Sequence, residues 1–124
     1  MAEEELAAQL GRLVDRLRSM ALDRLDAPFY PEPTRVAAAG LLAQRLADAA
    51  AGCEDPAGPV WRTVPTVSAA GAGDLVAVCG HDLLAAAALV GPEQLLPQPE
   101  GGVTNRDELL AGAAKAVLEL RRRL

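Results

Sequence analysis

The sequence contains few of the residues from which catalytic and metal sites are built. Its 124 residues include one histidine, two cysteines and two serines. The cysteines, Cys53 and Cys79, form no C-x-x-C motif, and no H-x-x-H or E-x-x-H pair is present. Neither a glycine-rich phosphate loop nor a nucleophile elbow occurs. These absences predict that the protein binds no metal and no cofactor, and they favour a non-enzymatic protein.

Positive charge and long apolar runs are also scarce. The 12 basic residues are outnumbered by 17 acidic ones, which gives a net charge of −5. An acidic chain lacks the basic patch that neutralises phosphates, so nucleic-acid binding is not expected. No charge-free apolar run of about 18 residues occurs, and the acidic start at Met1–Glu5 differs from a secretory signal. We therefore expect a soluble, cytoplasmic protein that does not bind a membrane.

Aromatic residues and isoleucine are nearly absent too. The chain has three aromatic side chains and no isoleucine, yet 51% of its residues are hydrophobic, chiefly alanine, leucine and valine. That fraction excludes a disordered chain, and the length suits one domain spanning residues 1–124. A core made of these residues must fill its space with leucine and with closely packed backbones.

Hydrophobic residues recur at helical spacing in four segments. In the first, leucines follow one another at intervals of three and four positions from Leu6 to Leu17. This spacing predicts a helix that continues to about residue 26 and ends before Pro28. A second helix is predicted from Thr34, as its N-cap, to Gly52, as its C-cap.

Two further helices are predicted in the second half of the chain. One spans about residues 72–90, with Asp74 as its N-cap, and the other follows an N-cap at Thr104 or Asn105. Together, the four amphipathic segments predict an all-α fold, a four-helix bundle with two long loops. The apolar stripes of the first and last helices could also pair across a homodimer.

The stretch from residue 53 to residue 73 allows a second interpretation of the fold. Residues 60–64 are rich in β-branched side chains and could form a hairpin with residues 75–79, which would make the fold α+β. In the all-α fold, which we favour, the stretch either runs as an extended strap anchored by Trp61 or holds a short strand.

His81 and Asp82 are the first candidates for chemistry. His81 is the one side chain whose ordinary pKa lies near neutrality. Adjacent residues of a helix point in different directions, so Asp82 could orient His81 only weakly, and the simplest interpretation is a histidine on a helix surface. The alternative is a small-ligand site or a modest enzyme, in which Tyr30 and Trp61 line an inter-helix pocket together with this pair.

The three aromatic residues give the more informative signal. Phe29, Tyr30 and Trp61 lie in proline-rich connections, which usually run over the surface. They either fold back and cover one end of the bundle, or remain partly exposed as a patch that binds a partner. We therefore predict a helical interaction or accessory module whose partner is another protein or a second copy of itself. The candidate binding residues are Phe29, Tyr30, Trp61, His81 and Asp82.

Overall fold

The computed structural model describes residues 1–124 and contains five α-helices. Four are long and one is short: α1 (Ala2–Ser19), α2 (Leu22–Asp26), α3 (Arg35–Glu54), α4 (Ala72–Ala87) and α5 (Arg106–Arg123). The predicted all-α fold is therefore confirmed. The side chains of Thr34 and Asn105 accept backbone hydrogen bonds from the first turns of α3 and α5, as N-caps do.

The long helices pack around a core made almost entirely of leucine, alanine and valine. This core contains 29 buried residues, and every helix contributes a fully buried leucine to it. α1 packs against α5 and α4, and α3 packs against α4, whereas α3 and α5 touch only sparsely. A cleft lies between α3 and α5.

The first helix is shorter than the leucine spacing predicts. α1 ends at Ser19, and the next two residues are extended before α2 begins, so the prediction of one helix to residue 26 is wrong. The Ser19 hydroxyl donates to the Arg16 carbonyl. A side chain that bonds the preceding turn competes with continuation of the helix. The bend allows both Met20 and Leu25 to reach the core.

α4 begins before its predicted N-cap. A single 3-10 turn, Ala69–Gly71, leads directly into α4, so the prediction of Asp74 as N-cap is wrong. Asp74 lies instead in the first turn of α4, where its carboxylate pairs with Arg18 of α1 at 2.6 Å. A negative charge in this turn still complements the helix dipole.

Glycine residues allow α1 and α4 to approach each other closely. Gly80 of α4 lies against the Leu10 side chain, and a Cβ at Gly73 would lie 2.9 Å from Arg18 Cγ. Each of these positions is buried. The close packing of backbones that the alanine-rich composition predicts is therefore found at this crossing.

The stretch between α3 and α4 runs as a largely extended strap without regular strands. The alternative α+β fold is wrong, because residues 60–64 form no strand and residues 75–79 are helical. A short hairpin occurs elsewhere, where β1 (Leu96–Pro97) pairs antiparallel with β2 (Val103–Thr104). Leu96 is fully buried, so the connection between α4 and α5 supplies part of the core.

The hairpin packs directly on α3 at Gly52. α3 continues to Glu54, past the glycine that the sequence predicts as its C-cap. A Cβ at Gly52 would lie 2.7 Å from the Pro97 carbonyl oxygen. Glycine at this position therefore permits the close approach of the hairpin backbone rather than ending the helix.

α4 is the most apolar of the helices. Together with the preceding 3-10 turn, the segment Ala69–Ala87 is long and apolar enough to cross a membrane by length and composition alone. In the structure, it packs against α1 and α3, and 44% of its apolar window is buried. The core helix of a globular protein has the same properties, so they are weak evidence for a membrane span.

Candidate functional site

The structure places the five predicted binding residues in three separate regions. Phe29 and Tyr30 lie in the loop between α2 and α3, beside the C-terminal end of α5. Trp61 lies in the strap and contacts the C-terminal half of α3. His81 and Asp82 lie on α4, and both are exposed.

His81 borders a groove between α1 and α4. The groove has a volume of about 200 Å³, and all its lining residues belong to these two helices. Tyr30, Trp61 and Asp82 are not among them. The structure therefore does not bring the histidine, the aspartate and the two aromatic residues into one pocket.

Trp61 lies with its ring edge against α3 and is partly exposed. Its Cη2 atom lies 3.9 Å from the position of a Cβ at Gly52, and 39% of the residue is exposed. The strap is held by the amide of Gln44, whose Nε2 donates to the Arg62 carbonyl at 2.8 Å and whose Oε1 accepts from the Val64 N–H at 2.9 Å. One polar side chain of α3 thus fixes the strap backbone.

The loop between α2 and α3 is built around the ring of Phe29. Two guanidinium groups lie over the ring, with Arg35 Cζ 4.5 Å and Arg123 Cζ 4.7 Å from its centroid. Both distances are within the range of cation–π attraction. The Phe29 N–H donates to the Pro33 carbonyl at 3.2 Å, which closes the base of the loop. The half-buried ring therefore holds the loop from its inner side.

Arg123 ties the same loop to the last turn of α5. Its guanidinium donates to the two carboxylate oxygens of Glu32 at 2.6 and 3.1 Å, and to the Tyr30 carbonyl at 3.2 Å. These hydrogen bonds lower the pKa of Glu32 and raise the pKa of Arg123. The Tyr30 residue itself is 93% exposed. The loop thus combines a fixed backbone with one aromatic side chain in solvent.

A larger cleft, which the sequence did not predict, lies between α3 and α5 and is closed at one end by the hairpin. Its volume is about 450 Å³, which is within the range of small-ligand sites. The polar residues of α3 that line it have the pattern of an ordinary solvent-exposed face. The cleft depends on how α3, α5 and the hairpin pack together, which no local signal in the sequence reports.

The cleft brings one cation together with three carboxylates. The Arg45 guanidinium reaches across from α3, with Nη2 3.6 Å from the position of a Cβ at Gly112 of α5. It has no carboxylate within ion-pair distance. The carboxylates of Asp48, Glu100 and Glu108 line the same space. The cleft therefore contains groups of opposite charge that form no ion pair with one another.

The two cysteines are free and buried. Burial raises the pKa of the Cys53 thiol to about 11, with a smaller effect from the neighbouring charge of Glu54. Burial also raises the pKa of Cys79, and the charge of Asp82 adds to this shift. Since the thiolate is the reactive form, both side chains are poor nucleophiles at neutral pH. No cluster of three His, Cys, Asp or Glu side chains is arranged to hold a metal ion.

No protein-family model, no curated protein and no solved structure matches this chain.

Proposed function

We propose that this chain is a non-enzymatic protein-interaction module that uses Tyr30 as the anchor for a protein partner. The proposal rests on a difference between neighbouring side chains of one loop: one is exposed and the others are held in place. Tyr30 is 93% exposed, whereas its neighbours Phe29 and Glu32 are held by Arg123. An aromatic side chain that adds nothing to the core, on a backbone that is fixed, is typical of a recognition residue.

The fixed backbone of the loop lowers the entropic cost of binding. Tyrosine offers a large ring with few rotatable bonds, and its hydroxyl can form a hydrogen bond at the rim of a contact. Because the cation–π contacts of Phe29 and the Arg123–Glu32 pair already hold the loop, the main cost of ordering on binding falls on the Tyr30 side chain. The loop therefore suits a partner surface with an apolar pocket for one ring.

The partner that we propose is a different protein, which the chain meets as a soluble protein in the cytoplasm. The net charge of −5 supports this part of the proposal, because it opposes binding to nucleic acids and to anionic membrane surfaces. A second copy of the chain is the other candidate partner, and the experiment below distinguishes the two.

The test compares the wild-type chain with Tyr30→Ala and with Leu89→Ala as the matched control. Leu89 is 90% exposed and follows α4, so its removal also deletes a large exposed side chain but leaves the loop intact. Each version is immobilised and used to capture proteins from a lysate of the source cells. Proteins that Tyr30→Ala fails to capture, but Leu89→Ala retains, are then purified and titrated.

We expect the purified partner to bind Tyr30→Ala at least about tenfold more weakly than wild type, and to bind Leu89→Ala with unchanged affinity. Equal capture and equal affinity for all three versions would contradict the proposal. Native mass spectrometry of the same three versions tests whether the chain associates with itself. A wild-type dimer that becomes a monomer in Tyr30→Ala would identify the partner as a second copy of the chain.

A further inference from the structure

We propose that the cleft between α3 and α5 is a separate binding site for a small zwitterion of the amino-acid class, with a preference for a basic side chain. The cleft is distinct from the Tyr30 loop, because the two lie at different ends of α5. Gly112 lines the cleft and Arg123 holds the loop. These two residues are about 16 Å apart along the helix axis at the rise of an α-helix.

The shape of the cleft suits a small ligand rather than a helix or a strand of a partner. Its walls come from α3, from α5 and from the turn Pro97–Glu100 of the hairpin. Three elements therefore border a half-open cleft of about 450 Å³. A volume of this size accommodates one amino acid together with a few water molecules.

Arg45 supplies the group that would bind the carboxylate of such a ligand. A guanidinium presents paired N–H donors that match the two oxygens of a carboxylate. Arg45 forms no ion pair within the protein, and Gly112 opposite it has no side chain to occupy the space at its Nη2. Its donors are therefore free for an incoming carboxylate.

The carboxylates of the cleft supply acceptors for ammonium groups. Gln44 Nε2 donates to Asp48 Oδ1 at 3.0 Å, which orients that carboxylate and leaves its second oxygen free. Glu108 receives only a long hydrogen bond of 3.5 Å from Thr104, and Glu100 has no partner in the protein. Because three carboxylates accompany one guanidinium, a ligand with more positive than negative charge reduces the excess negative charge of the cleft.

An apolar wall completes the match to a basic amino acid. Leu41, which is 64% exposed, and the partly buried Leu109 line the cleft together with Ala113. Aliphatic surface of this kind covers the methylene chain of a lysine while its ammonium group remains among polar atoms. Lysine therefore carries the three groups for which the cleft has partners: a carboxylate, ammonium groups and an apolar stem.

The experiment is a calorimetric titration of the wild-type chain with lysine and with three related probes. Cadaverine has the amines and the stem of lysine but no carboxylate, ε-aminocaproate lacks the α-ammonium group, and glutamate carries the opposite side-chain charge. We expect lysine to bind most tightly and glutamate to bind most weakly, because glutamate adds a negative charge to a cleft that already has an excess of carboxylates.

Two variants and a matched control assign the binding to the cleft. Arg45→Gln should weaken lysine binding by about tenfold, because it removes the carboxylate contact, and should not weaken the binding of cadaverine, which has no carboxylate and gains from the loss of a nearby positive charge. Asp48→Asn should weaken the binding of both lysine and cadaverine. Arg62→Gln also removes an exposed arginine, but from the strap and outside the cleft, so it should bind lysine as wild type does. Circular dichroism confirms that each variant is folded.

Three results would overturn this inference. The first is the absence of binding of lysine and cadaverine to the wild-type chain at millimolar concentration. The second is equal lysine affinity in Arg45→Gln and Arg62→Gln. The third is cadaverine binding that exceeds lysine binding, which would exclude a carboxylate-bearing ligand. None of these results depends on Tyr30, so ligand binding in the cleft and partner binding at Tyr30 are tested independently.

Discussion

Arg123 and Glu32 join the last turn of α5 to the loop before α3 through hydrogen bonds of 2.6 and 3.1 Å. The two residues are separated by 91 positions in the sequence. Arg123 also supports the Tyr30 carbonyl, and the backbone carbonyl of Leu124 accepts a hydrogen bond from Arg24 of α2 at 2.9 Å. The last turn of α5 is thus built into the base of the loop that presents the exposed tyrosine.

This pair should make the stability of the protein depend on pH in the acidic range. The hydrogen bonds from Arg123 lower the pKa of Glu32 in the folded chain, so the unfolded chain binds the proton more readily. The pair therefore contributes its full stabilisation at pH values above the ordinary carboxyl pKa. This stabilisation is lost as the pH falls through the lowered pKa of Glu32. Between about pH 6 and pH 3, the Tm of Glu32→Gln should fall less steeply than that of wild type. Equal slopes would show that the pair is not formed in solution.

Gly52 and Gly40 of α3 should respond in opposite ways to the same substitution. A Cβ at Gly52 would lie 2.7 Å from the Pro97 carbonyl oxygen, whereas a Cβ at Gly40 meets nothing within 4 Å. Gly52→Ala should destabilise the protein by about 1–3 kcal/mol, because backbone has to move. Gly40→Ala should stabilise it by about 0.5–1 kcal/mol, because alanine has the higher helix propensity. Urea unfolding of both variants measures the difference, and stabilisation by Gly52→Ala would show that the hairpin does not pack on α3.

The four long helices were predictable because their signals are local. The leucines from Leu6 to Leu17 repeat at the helical period, and Thr34 and Asn105 cap the turns that directly follow them. The hairpin was not predictable, because the burial of Leu96 depends on a close approach to α3 that only Gly52 permits. Gly52 has the local pattern of a C-cap, and the tertiary contact overrode that pattern.

The candidate sites show the same division between local and long-range information. The prolines around Tyr30 predict a surface loop, and Tyr30 lies exposed in such a loop. The clamp on Phe29 was not predictable, because one of its two guanidinium groups comes from Arg123 at the other end of the chain. The groups of the α3–α5 cleft, such as Arg45 and Glu108, gain their proximity only from the packing of the helices.

Gln44 should be essential for the order of the strap. Its amide satisfies the Arg62 carbonyl and the Val64 N–H, neither of which belongs to a helix or a strand. Gln44→Met preserves the length of the side chain but leaves both backbone groups without this partner, which should cost about 1–3 kcal/mol. The Val64 amide should lose its protection from hydrogen exchange. Gln98→Met is the control, because the Gln98 side chain lines the cleft without holding the strap; equal protection of Val64 in both variants would contradict the role of Gln44.

The Cys53 thiol should react with alkylating reagents far more slowly than an ordinary cysteine. Burial raises its pKa to about 11, so at pH 8 its thiolate fraction is about a hundredfold lower than that of an unperturbed thiol. The Cys79→Ala variant leaves Cys53 as the only cysteine, and intact-mass analysis after iodoacetamide treatment then reports this one site. The rate in the native protein should keep rising with pH beyond about pH 9, where an ordinary thiol reaches its plateau. Alkylation in urea should proceed at the ordinary rate, and an ordinary rate in the native protein would show that the thiol is not buried.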